Sequence, residues 1–535
     1  MSGQVNPTGH GIARAAGPIS LLTLVSRVMG LAREQVFAAL LGAGLHADAF
    51  QIAFRIPNLL RDLFAEGALS AAFVPTYTRT VKEDGRDAGH RLASRLLTLL
   101  AVLMSVLVLL GIAFAGPLVT LLAPGFAAVP GKAEVAVLLT RVMMPFLPLV
   151  SFAAVAMGML NAEERYGPPA FAPAMFNVVT VAWGVVLFLL GFDPMQVALG
   201  WAVGTLFGGL AQFAIQVPPL RQGGWRFKPE WSPGDPRVRQ VASLMAPATV
   251  GLAAVQVNIF VNSTFASHEP GAVSWLQYAF RILYLPIGIF GVAVGTVATS
   301  GLARRAAEGD MDGLRATLRQ ALALILFLTV PATVGLIVLG TPVVRLLYER
   351  GRFSPHDTAS TAQALLFYSI GLVAYTAVKV MAPAFYALGT PRVPLLASGL
   401  AVGTNLLINL FCYERFGFGA VALGLSLGSL ANAGLLLTVL ERRVGGLLDR
   451  EVRSRLGRVA LAAVLMAPVA WAAAWGLERA VGTRGLLPQA ITGLVPVALG
   501  VLAYGALAAL LGLPEAGAVL EWLRRRRPDA VPPAA

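Results

Sequence analysis

Residues 100–120 read L-A-V-L-M-S-V-L-V-L-L-G-I-A-F-A-G-P-L-V-T and contain no charged side chain. A helix needs about 20 apolar residues to cross the roughly 30 Å hydrocarbon core of a bilayer, so this segment is long enough to span a membrane. Uncharged, mostly apolar runs of similar length recur along the chain, as at residues 174–192, 321–339, 393–410 and 486–513. The chain is therefore predicted to be an all-α membrane protein.

The overall composition agrees with a membrane protein. Of the 535 residues, 57% are hydrophobic and 13% are charged, whereas a soluble domain has about 25% charged residues. The net charge of +14 would suit nucleic acid, but the positive residues lie mainly between the apolar runs, as in the loops of membrane proteins. No basic surface with interleaved aromatic residues is visible, so nucleic acid is not an expected partner.

Signal, disulfide and metal signatures are missing from the sequence. Residues 2–17 are polar and mildly basic, unlike a cleavable signal peptide. Cys412 is the single cysteine, so an intrachain disulfide is excluded, and the five histidines show no metal-ligand spacing. Neither a cofactor nor a metal site is expected.

Fourteen transmembrane spans are predicted, with Pro and Gly marking the loops between them. Their limits are 18–43, 48–78, 93–122, 134–160, 168–192, 195–217, 238–266, 272–302, 318–345, 358–387, 393–413, 418–440, 457–477 and 487–513. The loops after even-numbered spans up to the twelfth carry about 20 Lys or Arg, and those after odd-numbered spans carry about six. Positive residues stay on the cytoplasmic side, so both termini are predicted to be cytoplasmic.

An internal repeat divides the predicted spans. Residues 51–56 read Q-I-A-F-R-I, and residues 277–282 read Q-Y-A-F-R-I, so that Arg55 corresponds to Arg281. Spans 1–6 and 7–12 therefore form two pseudo-symmetric lobes, with two helices added at the C-terminus. The predicted limits are 1–220, 221–445 and 446–535. Parallel repeats of this kind commonly enclose a substrate cavity near the membrane midplane.

Charged residues concentrate in three of the predicted spans. Arg27 and Arg33 lie in span 1, Arg61 in span 2 and Arg281 in span 8. An arginine in hydrocarbon is costly, so it usually faces a hydrated cavity or a partner. A guanidinium cluster is a typical receptor for phosphate because it presents a planar fork to two oxygens. The alternative is that nearby acidic residues neutralise the arginines in structural ion pairs.

Two other charged residues lie at membrane depth. Arg141, near the outer end of span 4, is predicted to reach the membrane interface by snorkelling. Lys379 lies deep in span 10. A functional role and a structural pairing both remain open for this lysine.

Several motifs resemble one known family. Residues 26–34 read S-R-V-M-G-L-A-R-E, residues 55–75 read R-I-P-N-L-L-R-D-L-F-A-E-G-A-L-S-A-A-F-V-P, and residues 346–353 read L-L-Y-E-R-G-R-F. They resemble the MurJ (MviN) lipid II flippases of the multidrug/oligosaccharidyl-lipid/polysaccharide exporter superfamily. The resemblance extends over predicted spans 1 to 12.

The resemblance implies a lipid II flippase, a transporter rather than an enzyme, in the bacterial inner membrane. Lipid II, an anionic undecaprenyl-diphosphate-linked precursor of peptidoglycan, would move to the periplasmic leaflet by alternating access. Membrane lipids are the other implied partners, and a monomer is expected. The implied substrate-binding residues are Arg27, Arg33, Arg61, Arg281, Asp48, Glu66 and Ser274.

Some relatives bind sodium through acidic and amide groups. The matching residues here are Asn262, Asn405, Asn409 and Ser426, a set without a carboxylate. A hard cation favours charged oxygen ligands, which argues against a sodium site of this composition. Asn405 and Asn409, one helical turn apart, are interpreted instead as hydrogen-bonding contacts between helices.

Two other function classes can be compared with the flippase. A cation-coupled multidrug or other polyprenyl-oligosaccharide exporter of the same superfamily is the alternative. A cation-coupled drug exporter predicts cavity carboxylates and few arginines, the reverse of the pattern here. A membrane-embedded enzyme would need clustered carboxylates or histidines, or a long catalytic loop, and the sequence has neither.

Overall fold

The computed structural model describes residues 10–62 and 67–517. These residues form α-helices, with one short 3₁₀ turn (Pro124–Ala128) and one π turn (Ile287–Gly291), and they contain no β-strand. The helices are α1 (His10–Leu41), α2 (Leu45–Arg61), α3 (Gly67–Asp84), α4 (Arg86–Ala113), α5 (Ala115–Leu122), α6 (Lys132–Met143), α7 (Phe146–Ala162), α8 (Gly167–Leu189), α9 (Pro194–Ala214), α10 (Val217–Gln222), α11 (Pro236–Ala266), α12 (Ala272–Pro286), α13 (Val292–Glu308), α14 (Met311–Tyr348), α15 (Pro355–Ser369), α16 (Leu372–Ala387), α17 (Arg392–Phe416), α18 (Phe418–Val444), α19 (Arg450–Val481) and α20 (Leu486–Leu510).

The all-helical membrane fold predicted from the sequence is confirmed. In the described ranges, each predicted span coincides with one helix or with consecutive helices, such as α2 and α3 in span 2. Among the described residues, ten helical segments are long and apolar enough to cross a membrane, and the pair α15–α16, bent by 42°, makes an eleventh. The total of fourteen spans stays a prediction.

Large apolar side chains on the outside of the helices also indicate a membrane environment. A soluble monomer rarely exposes extended apolar patches, whereas lipid-facing helices do so along their length. Examples are Phe188, Leu189, Phe411, Leu502 and Leu510.

Aspartates cap the beginnings of three helices. The side chains of Asp193, Asp235 and Asp449 accept hydrogen bonds from backbone N–H groups in the first turns of α9, α11 and α19. These N-caps satisfy donors that have no partner inside the helix. The hydrogen bond from the Val452 N–H lowers the pKa of Asp449, and the charge of Arg319 lowers it further.

The first of two compact units comprises Met1–Ser274 together with Arg350–Ser354. Its hydrophobic core joins side chains of α3, α4 and α7. Phe73, Tyr77, Leu97, Val155 and Trp225 are among its buried members.

The second unit comprises Trp275–Glu349 and Pro355–Ala535. Its main core contains Leu302, Leu318, Val380 and Leu440. Helices α19 and α20 pack on α14 in the same unit, where the Tyr504 hydroxyl donates a 2.8 Å hydrogen bond to the Phe327 carbonyl. The lobe limits at 220 and 445 stay predictions.

The helices that carry the repeated motif have matching limits. Helix α2 runs from Leu45 to Arg61 and α12 from Ala272 to Pro286. Their first residues are 227 positions apart and their last residues 225 positions apart, close to the 226-residue offset of the motif itself. The two repeated segments therefore have nearly the same helical limits.

A short segment from the second half of the sequence packs in the first unit. Arg350–Ser354 follows α14, and the Arg352 N–H donates a 2.9 Å hydrogen bond to the Ala39 carbonyl near the end of α1. Gly42 and Gly351 both have positive φ, at 64° and 58°. A Cβ atom on either would overlap a backbone carbonyl oxygen of the facing segment. The close backbone approach therefore requires glycine on both sides.

Gly351→Ala is expected to destabilise the protein by about 1–3 kcal/mol, since the left-handed conformation disfavours a Cβ and the carbonyl of Ala39 blocks it. Thermal unfolding in detergent micelles measures the effect. Gly335→Ala is a matched control, because Gly335 is inside α14 and a Cβ there meets no atom within 4 Å among the described residues. Equal melting temperatures for the two variants would contradict the prediction.

Candidate functional site

Asp48 is the fourth residue of α2 and is fully buried. Its Oδ1 accepts hydrogen bonds from the Ser274 backbone N–H at 2.9 Å and from the Ser274 hydroxyl at 2.6 Å. Its Oδ2 accepts from the Lys132 ammonium and from the Gly271 N–H, both at 2.7 Å. Four donors thus satisfy the two oxygens, as a buried carboxylate requires.

Lys132 supplies the charge that neutralises Asp48. It is the first residue of α6, with a side chain only 1% exposed, and its Nζ lies 4.3 Å from the centre of the Phe126 ring. Sequence reasoning missed this residue as part of the site. A signal was present, because Asp48 and Lys132 both lie at starts of predicted spans on the sparsely charged side of the membrane.

The contacts of Asp48 hold the beginning of α12. Gly271 directly precedes this helix and Ser274 is its third residue. The first N–H groups of a helix lack partners within it and carry a partial positive charge, so a carboxylate stabilises them. The structure therefore brings two predicted site residues, Asp48 and Ser274, into direct contact.

Two predicted site arginines pair with the acidic residue that follows them. Arg33 bonds Glu34 at 2.7 Å and lies 5.3 Å from the centre of the Phe176 ring. Arg61 bonds Asp62 at 2.9 Å. The ion-pair alternative is thus realised for these two residues. Their contact with substrate stays a prediction.

Arg27 has a different environment. It lies on α1 with an exposed side chain, and no residue in the described ranges forms a hydrogen bond or ion pair with it. A guanidinium at membrane depth needs water or an anion to compensate its charge. Among the predicted arginines of the first unit, Arg27 is therefore the one best suited to receive an external phosphate.

The remaining predicted substrate-binding residues are Arg281 and Glu66. Arg281 lies in α12 of the second unit and is exposed. Its repeat partner Arg55 donates a 2.5 Å hydrogen bond to the Ser263 hydroxyl in the first unit. Glu66 lies outside the described residues.

Asn405 and Asn409 are both buried in α17. The Asn409 amide donates to the Asn405 carbonyl at 2.8 Å and to the Asn405 side-chain oxygen at 3.0 Å, so these bonds lie within one helix. Both side chains also pack against Gly424 of α18, where a Cβ would meet them. The interpretation of these asparagines as contacts between helices stays a prediction.

Ser426 forms a hydrogen-bonding contact between two helices. Its hydroxyl, in α18, donates to the carbonyls of Phe367 and Tyr368 in α15 at 2.7 and 3.1 Å. These carbonyls lie just before the bend between α15 and α16. Asn262 lies in α11 of the first unit and is half-buried.

The two other charges at membrane depth are both exposed. Arg141, near the end of α6, donates from Nε to the Ile112 carbonyl at 3.3 Å. Lys379 lies on α16, with no ion-pair or hydrogen-bond partner in the part of the chain that is described. Exposure of both agrees with hydrated or interfacial surroundings.

The sequence and the fold match one family. A model described as "Lipid II flippase MurJ" matches residues 37–487. A "Probable lipid II flippase MurJ" of Vibrio cholerae is 34% identical over 510 residues, covering 92% of this chain and 95% of the relative. The match therefore includes nearly all of both proteins.

Solved structures share the fold. A "Lipid II flippase MurJ, inward closed conformation" superposes with a TM-score of 0.75 at 24% identity, covering 92% of this chain and 98% of the other. An inward-facing multidrug resistance MATE family transporter of the MOP superfamily has a TM-score of 0.66 at 16% identity, covering 79% and 95%. With a family model matching most of its length and a relative more than 30% identical, the chain belongs to the MurJ lipid II flippase family.

Proposed function

We propose that this protein transports lipid II from the cytoplasmic to the periplasmic leaflet of the bacterial inner membrane. The observation that carries the proposal is the family match over residues 37–487, which includes Asp48 and Arg61 on α2 and Ser274 and Arg281 on α12. The protein is a multi-pass membrane transporter by its family and its helices. Both termini are proposed to be cytoplasmic, and the working unit is proposed to be a monomer in contact with membrane lipids.

The diphosphate of lipid II is the part of the cargo that arginines recognise best. Arg27, exposed and without a partner in the described residues, is proposed to bind a phosphate through paired N–H donors. Arg33, Arg61 and Arg281 are proposed to complete the site during the transport cycle. The polyprenyl tail stays in lipid, because transfer into hydrocarbon is unfavourable only for the polar head group.

Alternating access is proposed to depend on the Asp48 contacts. Asp48 and Lys132 hold the start of α12 by a buried ion pair and three further hydrogen bonds. Membrane potential is proposed as the driving force, since one charge moved through 100 mV gains about 2.3 kcal/mol. No cofactor is proposed.

The drug-exporter alternative is not favoured. The MATE transporter shares the fold at 16% identity, which says nothing about cargo. The family match and the arginines on α1, α2 and α12 favour an anionic substrate instead.

Transfer of fluorescent lipid II in reconstituted vesicles tests the proposed function. We expect the protein to move labelled lipid II between leaflets, measured as the fraction quenched by a membrane-impermeant reagent, and to do so faster under an imposed potential. Protein-free vesicles and vesicles with a fluorescent phosphatidylglycerol in place of lipid II are the controls. Lipid II transfer no faster than in protein-free vesicles would contradict the proposal, and transfer insensitive to potential would exclude the proposed driving force.

A further inference from the structure

A cavity of about 680 Å³ lies in the second unit, between the first turns of α14, the start of α19 and residues 514–515, which follow α20. Its apolar lining includes Ala323, Leu324 and Pro514. Its charged lining consists of Arg319, Glu451, Arg455 and Glu515. The cavity has no part in the transport site described above.

The cavity lies where three segments change from charged to apolar sequence. In α14, Arg319 comes just before the apolar run 321–339, and in α19, Arg458 directly precedes the apolar residues of the span. In the α20 region the change from apolar to charged occurs between Leu513 and Glu515. Three helices thus change from charged to apolar sequence around one cavity, as they do at a membrane interface.

One ion pair in the cavity is not closed by a hydrogen bond. Arg455 Nη1 and Glu515 Oε1 are 3.8 Å apart, too far for a hydrogen bond. The Glu515 side chain is only 13% exposed, and its Oε2 atom is buried without a hydrogen-bond partner in the part of the structure that is described. A buried carboxylate oxygen needs a donor. A ligand N–H group at this position would supply one.

The other ion-pair partner of Arg455, Glu451, holds the guanidinium only weakly. Glu451 bonds Arg455 at 2.7 Å within α19, but the Glu451 side chain is 63% exposed, and such surface pairs within a helix are weak. Arg455 can therefore exchange this carboxylate for a phosphate. The guanidinium and the open Glu515 oxygen present one positive and one negative partner side by side.

Of the two guanidinium groups in the lining, Arg319 is already paired with Asp449 at 2.5 Å, which leaves Arg455 beside the Glu451 and Glu515 carboxylates. An anionic head group would face both carboxylates, and a simple cation would leave the Arg455 guanidinium without a phosphate partner. A zwitterionic head group with a phosphate and a primary ammonium matches both signs. A quaternary ammonium, which has no N–H, would leave the Glu515 oxygen without its donor.

We infer that this cavity binds a zwitterionic phospholipid with a primary amine, of the phosphatidylethanolamine class. The phosphate lies at Arg455 and the ammonium at Glu515. The acyl chains follow the apolar outer surface of α14 and α19, where Leu324, Leu461 and Val464 are exposed. The lipid would join α14, α19 and α20 at their shared end.

Native mass spectrometry of the purified full-length protein tests the inference. Equal amounts of phosphatidylethanolamine, phosphatidylcholine and phosphatidylglycerol of one chain composition are added, with water-soluble glycerophosphoethanolamine in a separate arm. We expect one phosphatidylethanolamine to be retained at least about tenfold more strongly than the other lipids, because only it offers both charge-assisted hydrogen bonds. Excess lipid II should not displace it.

Two variants locate the lipid. Glu515→Gln and Arg455→Gln are each expected to weaken phosphatidylethanolamine retention by about tenfold or more. Glu414→Gln, at an exposed position near the end of α17, is the matched control and should retain the lipid. The wild-type selectivity among head groups remains informative even if a variant fails to fold.

Equal retention of phosphatidylglycerol or phosphatidylcholine would overturn the inference. Undiminished retention in both folded variants, displacement by lipid II, or equal binding of the soluble head group would do so as well. The lipid II transfer assay is a separate measurement, so failure of one proposal is distinguishable from failure of the other.

Discussion

Asp48→Asn is expected to lower the free energy of unfolding by about 3–5 kcal/mol, because it leaves the Lys132 ammonium buried without its counter-charge. The substitution keeps the size of the side chain and removes only the charge and one acceptor. The new amide N–H groups would also face the Lys132 ammonium or the Gly271 N–H, which are donors themselves. Both effects act in a site that solvent does not reach.

A double-mutant cycle separates the ion pair from other effects. Lys132→Met is expected to destabilise by a similar amount, since Asp48 is then the uncompensated charge. Asp48→Asn combined with Lys132→Met should cost clearly less than the sum of the two single changes, because no unpaired charge remains. Denaturant-induced unfolding in detergent micelles measures all three variants.

An exposed ion pair is the control for this cycle. Asp312 pairs with Arg315 at 2.9 Å, but the Asp312 side chain is 90% exposed. Asp312→Asn should therefore change stability by less than about 1 kcal/mol. If the Asp48 and Lys132 effects were small, or strictly additive, the buried pair would not have the role described here.

The second large effect concerns transport. Arg27→Ala is expected to slow lipid II transfer in reconstituted vesicles by about 10- to 150-fold, which corresponds to the roughly 1.5–3 kcal/mol of a hydrogen bond between charged groups. The stability of the protein should be unchanged, because Arg27 has no hydrogen-bond or ion-pair partner in the described residues. Arg27→Lys should recover only part of the rate, since lysine lacks the planar fork.

Arg392→Ala provides the matched control for Arg27. Arg392 is the first residue of α17 and is exposed, outside the motif-matched site residues. Its removal should leave the transfer rate of lipid II as in the wild type. Normal transfer by Arg27→Ala would exclude Arg27 as a phosphate ligand and would leave the arginine cluster without its best-placed member.

Arg33 needs a different comparison, because it pairs with Glu34. If Arg33 serves only this ion pair, Arg33→Gln and Glu34→Gln should lower stability alike and affect transfer alike. If Arg33 also binds the diphosphate, Arg33→Gln should lose transfer while Glu34→Gln keeps it. Measuring melting temperature and lipid II transfer for both variants distinguishes the two roles.

Helix positions could be predicted well from the sequence, and their breaks less well. The predicted span 358–387, for example, is bent by 42° between α15 and α16. Hydropathy reports only how apolar a segment is. A break inside an apolar segment depends on which backbone groups neighbouring helices satisfy. The hydroxyl of Ser426, which reaches carbonyls beside the bend, is an example.

Site residues that lie in recognisable motifs could be found from the sequence, but their partners could not. Arg27 and Arg33 lie in the motif at residues 26–34, and the expected competition between substrate and ion pairs became visible at Arg33. Lys132 lies in no such motif. The close packing of Asn405 and Asn409 against Gly424 of α18 was likewise beyond a sequence argument, because it depends on how two helices meet.

The sequence by itself determined the membrane class, the approximate helix positions, the family and the unusual depth of the arginines. Each of these follows from composition or from order along the chain. Only the tertiary structure decided that Asp48 meets Lys132 and Ser274, and that Arg455 and Glu515 share one cavity with α14. The physical reason is that charges find partners through helix packing, which joins residues far apart in the chain and leaves no periodic signal in either segment.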